Sequence, residues 1–307
     1  MPPTEQADLL LRGPWTHRGL TANGVRLHVA EAGRGPLVVL LHGFPQFWWT
    51  WRTVIPRLAD AGFRVAAVDL RGFGSSDKPP RSYDLATAAR DIVGLIRALG
   101  AQSAYVVGHD IGGLIAWTAA ALGPGLIDGL AAISAPHPRR LRRELVTSRG
   151  QLHGVRHAFA YQLPRVPEAR LVRDGGAEVE RLHREWSGSA WPSTPDFAAA
   201  MPIYRHAICV PQAAYGASEY FRWMVRSLIR PDGARYVRAM RARIEAPVLH
   251  VHGGADPYLL PQSSEGSSAY VAGPYSWHVL PEIGHFPTEE APQLVGDLLL
   301  DWLPNPR

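Results

Sequence analysis

A chain of 307 residues, 46% hydrophobic and 19% charged, can bury one large core with an elaboration and is too apolar to be disordered. No apolar run is long enough to span a bilayer, and the opening MPPTEQADLLLRGPW has no basic stretch leading into an apolar one, so neither a membrane anchor nor a secretory signal is expected. The net charge of +5 rests on arginine, with Lys78 the only lysine. In runs such as LVRDGGAEVERLHREW the arginines alternate with Glu and Leu, as on a solvated helix face, which argues against nucleic acid as a partner.

In chain order, residues 25–31 partly alternate apolar with polar, and a turn follows at Gly33 and Gly35. Residues 36–41 form a continuous apolar run, which predicts a strand buried on both faces and ending at His42-Gly43-Phe44-Pro45. A helix is expected over 49–61, a strand over 64–69, and a loop rich in turn residues over 70–79. Helix 84–99 is clearer: Leu85, Ala88, Ile92, Leu95 and Leu99 share a face, Asp84 can cap it and Gly100 stops it. A β-branched strand at 105–107 leads into Gly108-His109-Asp110-Ile111-Gly112-Gly113, then a helix over 114–122 and a strand near 126–133.

After Pro136-His137-Pro138 the alternation stops. Residues 139–235 read as short helices divided by prolines, with no convincing strand. Strands resume at 247–252 and 275–280, and a helix over 292–303 closes the chain, with Pro292 at its first position. Strands alternating with helices predict a mostly parallel sheet covered on both sides, interrupted by a helical insertion. The expected division is a core formed by 1–138 and 236–307 with the insertion 139–235 between them. One cysteine, Cys209, excludes an internal disulfide and fits a reducing cytoplasm.

The stretch at 108–113 has the G-x-Nu-x-G spacing of a nucleophile elbow, with Asp110 at the central position. Such a turn is too tight for side chains on its flanks, and glycine removes the Cβ. A carboxylate lifted out there can attack carbon and form an ester whose own carbonyl is later attacked by water. Helix capping is the plainer alternative for an Asp in this position. Water needs a base, and His285 in Glu282-Ile283-Gly284-His285-Phe286 follows the last strand. Asp256 in Gly253-Gly254-Ala255-Asp256-Pro257 can orient that histidine. Nucleophile, acid and histidine fall in this order, each beyond the carboxyl end of an expected strand. The backbone N–H groups of Phe44 and Ile111 are the candidate oxyanion hole.

With these segments in hand, the chain resembles the α/β-hydrolase superfamily, and within it the epoxide hydrolase and dehalogenase branch with an Asp nucleophile. The resemblance is carried by HGFPQFWWTWR (42–52), DLRGFGSSDKP (69–79), GHDIGG (108–113), GGADPYL (253–259) and GHF (284–286). It implies an α/β-hydrolase fold, Asp110 as nucleophile, His285 as base, Asp256 as its acid partner, and 139–235 as a cap. Haloalkane dehalogenases hold halide with side-chain donors where this chain has Ile111 and Phe44, and fluoroacetate dehalogenases place arginines where Ile111 and Leu114 stand. A dehalogenase of activated halides is therefore the second reading.

Epoxide hydrolases use two cap tyrosines as proton donors. Met201-Pro202-Ile203-Tyr204-Arg205 is similar to the segment that carries one, and Tyr161-Gln162-Leu163-Pro164 places His157 where the other would be. The resemblance thus implies a His157/Tyr204 donor pair, with Tyr161 and Tyr215 as alternatives. Phe44, Trp48, Trp49, Trp186 and Trp191 are candidates for an apolar pocket. The expected partners are a small apolar epoxide and water, with no cofactor, metal or membrane, and a homodimer is compatible with the sequence.

Overall fold

The protein is described by a computed structural model over residues 6–305. Its strands are β1 (Thr16–Ala22), β2 (Val25–Ala32), β3 (Leu37–Leu41), β4 (Arg64–Val68), β5 (Ala104–His109), β6 (Ile127–Ile133), β7 (Val248–Gly253) and β8 (Tyr275–Leu280). They form one eight-stranded sheet in the order β1-β2-β4-β3-β5-β6-β7-β8. β1 and β2 pair antiparallel, as do β2 and β4, and every other pairing is parallel. The apolar runs become the inner strands: each residue of β3 and β7 is buried, as both-face coverage requires. β1, which the sequence reading did not anticipate, is a polar edge strand, THRGLTA, with only Ala22 buried.

Helices α1 (Val54–Asp60), α2 (Leu85–Ala98) and α3 (Ile111–Leu122) connect the parallel strands. The helix expected over 49–61 is split, because a 3₁₀ turn at Trp48–Trp51 precedes α1. Pro56 then falls in the first turn of α1, where its missing N–H costs nothing. The Asp84 side chain accepts from Thr87 N at 2.8 Å and caps α2 as expected.

From Pro138 to Ala239 the described residues contain helices and no strand: α4 (Pro138–Thr147), α5 (Arg149–Gly154), α6 (Arg156–Ala160), α7 (Val166–Trp186), α8 (Pro195–Cys209), α9 (Ala213–Arg226) and α10 (Pro231–Ala239). α7 is broken at Asp174–Gly175–Gly176, all with positive φ. A Cβ on Gly176 would lie 2.7 Å from Arg205 O, so the break lets α7 and α8 approach closely. Helices α11 (Pro261–Glu265), α12 (Pro287–Glu290) and α13 (Pro292–Trp302) complete the chain, and α13 packs on α1 while α2 packs on α3.

The order of strands reverses at β3, which has β4 on one side and β5 on the other. Loops leaving the carboxyl ends of β3 and β5 therefore part to form a crevice, where open α/β sheets bind ligands. No helix among the described residues is long and apolar enough to cross a membrane.

Candidate active site

The crevice is built on the turn between β5 and α3. Asp110 has φ 49° and ψ −118°, a conformation that L-residues rarely adopt. The flanking glycines make it possible: a Cβ on Gly108 would lie 2.3 Å from Gly112 O, and one on Gly112 would lie 2.4 Å from Leu41 O. With that freedom α3 begins at Ile111, earlier than the expected 114, and sits close against β3.

The Asp110 carboxylate is held by one oxygen. Phe44 N donates to Oδ2 at 2.9 Å, and Ile111 N–H also donates to the carboxylate. Oδ1 is buried and has no hydrogen-bond partner among the described residues. Burial pushes the carboxyl pKa up, His285 and these two N–H groups offset part of that, and the net position is above the usual Asp value.

His285 follows β8. Its Nδ1 donates to Asp256 Oδ2 at 2.7 Å, and its Nε2 stands 3.8 Å from Asp110 Oδ1. The second distance is right for a charge interaction and too long for a hydrogen bond. Burial disfavours the imidazolium, but Asp256, through charge and hydrogen bond, and Asp110 outweigh it, so the pKa is raised above 6.5. Asp256 is saturated: Tyr258 N and Leu259 N donate to Oδ1 at 2.8 and 3.0 Å, and Oδ2 faces both His285 and His252. Burial opposes its ionisation, yet His285 and His252 hold its pKa well below the ordinary value. The insertion also grips this loop, since Trp186 O at the end of α7 accepts from His285 N at 2.7 Å.

An apolar cleft of about 90 Å³ opens over Asp110, with Leu114, Leu141, Phe221 and Tyr258 in its walls. Phe44 and Trp186 meet behind it with ring centroids 6.3 Å apart. The other tryptophans expected there lie elsewhere. Trp48 packs with Trp15, His17 and His28, Trp191 packs on Phe197, and Trp49 faces Tyr204 and Arg52.

Asp110, His285, Asp256, Phe44 and Ile111 are thus brought together, and the two expected donors are not. The Tyr204 hydroxyl donates to Glu289 Oε1, a carboxylate that also accepts from Arg52 Nη1 at 2.7 Å. Its ring stacks on His183 and packs on Phe47, and it takes no part in the cleft. Burial, then Glu289, raises its pKa well above 10, as burial, Asp110 and Asp256 do for Tyr258, so what sets Tyr204 apart is the hydrogen bond that commits its hydroxyl to Glu289. His157 comes closer, with its ring 4.8 Å from both Trp186 and Tyr258, but it lines a separate pocket with Tyr161 and Glu178. Burial lowers its pKa to about 4, so it is neutral at physiological pH. The Gly154 carbonyl accepts a hydrogen bond from it and Nε2 has no partner, which assigns the proton to Nδ1 and leaves Nε2 an acceptor. Tyr215 donates to Pro80 O at 2.7 Å on the exterior, and Tyr161 is buried against Phe44 and Phe221.

The residue that the sequence reading passed over is Tyr258. It lines the cleft with Asp110, and its ring stacks on Trp186 at 4.5 Å and meets His285 edge-on at 4.8 Å. The available signal was its place two residues beyond Asp256, in DPYL.

Comparison with known proteins shows the family to which the chain belongs. The model of the alpha/beta hydrolase fold family matches residues 36–292. The AB hydrolase superfamily protein YfhM of Bacillus subtilis is 32% identical over 93% of this chain and 97% of its own length. Epoxide hydrolase A of Mycobacterium tuberculosis is 30% identical over 95% of this chain and 98% of its own. The crystal structure of epoxide hydrolase A from Mycobacterium thermoresistibile superposes with a TM-score of 0.74 at 30% identity, covering 94% of this chain and 98% of that one.

Proposed function

The chain belongs to the α/β-hydrolase fold family, and from that premise we propose that it is an epoxide hydrolase working through an ester on Asp110. The observation that carries this reading is the division of labour between the two Asp110 oxygens. Oδ2 accepts from Phe44 N–H, the Ile111 N–H also acts on the carboxylate, and Oδ1 is unpartnered beneath the apolar cleft. Oδ1 attacks an epoxide carbon, the C–O bond of the ring breaks, and an alkyl ester forms. Neutral His285, oriented by Asp256, then takes a proton from water that attacks the ester carbonyl carbon, and Asp256 stabilises the imidazolium that results. Negative charge in that step develops on Oδ2, where the Phe44 N–H already stands and the Ile111 N–H is at hand. Collapse returns the carboxylate and releases a vicinal diol.

Epoxide is favoured over halide by the cleft's chemistry. Haloalkane dehalogenases carry side-chain halide donors at the positions of Phe44 and Ile111, and neither of these side chains can donate. The apolar walls fit a small apolar epoxide, and the proposal needs no metal or cofactor. We assign the core to 1–138 and 236–307 and the cap to 139–235, with the cytoplasm as the working compartment.

The test is a trapped intermediate. His285→Gln should alkylate normally and fail to hydrolyse, so the peptide containing Asp110 should gain the whole mass of an added styrene-type or terminal epoxide. Trapping with haloalkanes, with release of halide and none with epoxides, would overturn the assignment.

A further inference from the structure

Ring opening turns the epoxide oxygen into an alkoxide, which needs a donor facing Asp110 across the cleft. The two donors expected from the cap do not meet this need: Tyr204 is committed to Glu289, and neutral His157 presents the bare Nε2. We infer that Tyr258, a residue of the core loop that carries Asp256, is the proton donor to the epoxide oxygen. The inference rests on the epoxide reading above and names the acid of that same site.

Four observations support it. Tyr258 shares the cleft with Asp110, and Asp110 is the charge that acts most strongly on its phenol. Its backbone is fixed from both sides, since its N–H donates to Asp256 Oδ1 at 2.8 Å and its carbonyl accepts from Gln151 Nε2 of α5 at 2.9 Å. Gln151 Oε1 also accepts from Leu260 N at 3.0 Å, so the cap clasps the loop that presents the phenol. The ring is clamped between Trp186, stacked at 17°, and the edges of His157 and His285, while no hydrogen bond among the described residues occupies its hydroxyl.

The chemistry balances. As Asp110 Oδ1 bonds to carbon and the ring C–O bond breaks, the Tyr258 proton passes to the oxygen, leaving a phenolate and a hydroxyl on the ester. Asp110 loses its charge in that same step, so one of the two carboxylates that hold the phenol's proton in place is neutralised as the proton leaves. An alkoxide is a much stronger base than a phenolate, so the transfer is downhill. Water then supplies two protons on hydrolysis, one to the diol oxygen released from the ester and one, through His285, back to Tyr258.

The experiment compares Tyr258→Phe and Tyr204→Phe in two assays, with circular dichroism and thermal melting to establish folding. In single-turnover alkylation by styrene oxide, Tyr258→Phe should be slower by on the order of 10²-fold, the usual scale for a positioned acid, and Tyr204→Phe should stay within about three-fold. In calorimetric binding of phenylacetamide, whose carbonyl accepts a hydrogen bond but cannot react, Tyr258→Phe should bind about ten-fold more weakly and Tyr204→Phe as the wild type does. If Tyr258→Phe does not fold, 3-fluorotyrosine placed at Tyr258 keeps the shape and should change the alkylation rate through its greater acidity. A folded Tyr258→Phe that alkylates at the wild-type rate, or an unchanged rate with 3-fluorotyrosine, overturns the inference. If the wild type opens no epoxide, the epoxide reading fails by itself and the amide decides: weaker binding to Tyr258→Phe retains the donor assignment, and equal binding rejects it.

Discussion

Two buried carboxylates, Asp110 and Asp256, lie a few ångströms either side of His285 and are treated in opposite ways. Asp256 has donors on both oxygens, and its surroundings hold it ionised. Asp110 has donors on one oxygen, a strained backbone and a pKa pushed up by burial. A saturated carboxylate is a poor nucleophile and a good fixture, and a half-satisfied one is the reverse. The same contrast separates Tyr204, tied to Glu289, from Tyr258, which lines the cleft and whose hydroxyl has no hydrogen-bond partner among the described residues. Missing partners alone do not mark a reactive group, since His183 Nε2 and Glu289 Oε2 also lack them. What distinguishes Asp110 Oδ1 and His285 Nε2 is that they converge, 3.8 Å apart.

The comparison breaks most severely at Asp110. Asp110→Asn should lower turnover by on the order of 10⁴-fold or more, because no ester can form, while the melting temperature holds or rises. A loss of both activity and fold would mean that Asp110 is a fixture after all. Asp256→Asn should act on the second step, slowing hydrolysis by about 10² to 10⁴-fold as the imidazolium loses its partner, and should also lower stability. Rapid-quench mass spectrometry would then find the ester accumulating, and equal slowing of both steps would contradict the assigned role.

pH separates the groups more gently. Hydrolysis needs neutral His285, whose pKa is raised above 6.5, so this step should fall as pH drops through that raised pKa, before an ordinary histidine would titrate. Alkylation needs ionised Asp110 and should fall only at lower pH, though above the range of an ordinary Asp. With His157 lowered to about 4, no limb from it should appear in alkylation at neutral pH. Stopped-flow rates for each step across pH would test all of this. The smallest effect is expected at Tyr204→Phe, which removes a donor from buried Glu289 and should cost about 1–3 kcal/mol in urea unfolding with little change in alkylation.

The parallel strands and the core half of the site were legible because both obey local rules. β3 and β7 are uninterrupted apolar runs, and the elbow needs glycines at fixed spacing around Asp110. β1 was hidden because a polar edge strand has no apolar signature. The donor side was hidden for a different reason. The Tyr-Arg segment at 204–205 does lie in a helix, α8, with Tyr204 on its buried face, but where the Tyr204 hydroxyl points depends on Glu289 and Arg52, which are remote in sequence. Likewise the state of His157 depends on burial and on the Gly154 carbonyl, neither of which a motif encodes.

The central claim, that Asp110 attacks carbon and water attacks the ester, is tested most directly by one turnover in ¹⁸O water with enzyme in excess over epoxide. The peptide containing Asp110 is then isolated and weighed. The account predicts label in the Asp110 carboxylate and an unlabelled diol from that first turnover, because the water oxygen enters at the carbonyl carbon of the ester. Label in the diol with an unlabelled Asp110 would mean that water attacks the epoxide directly, and would contradict it.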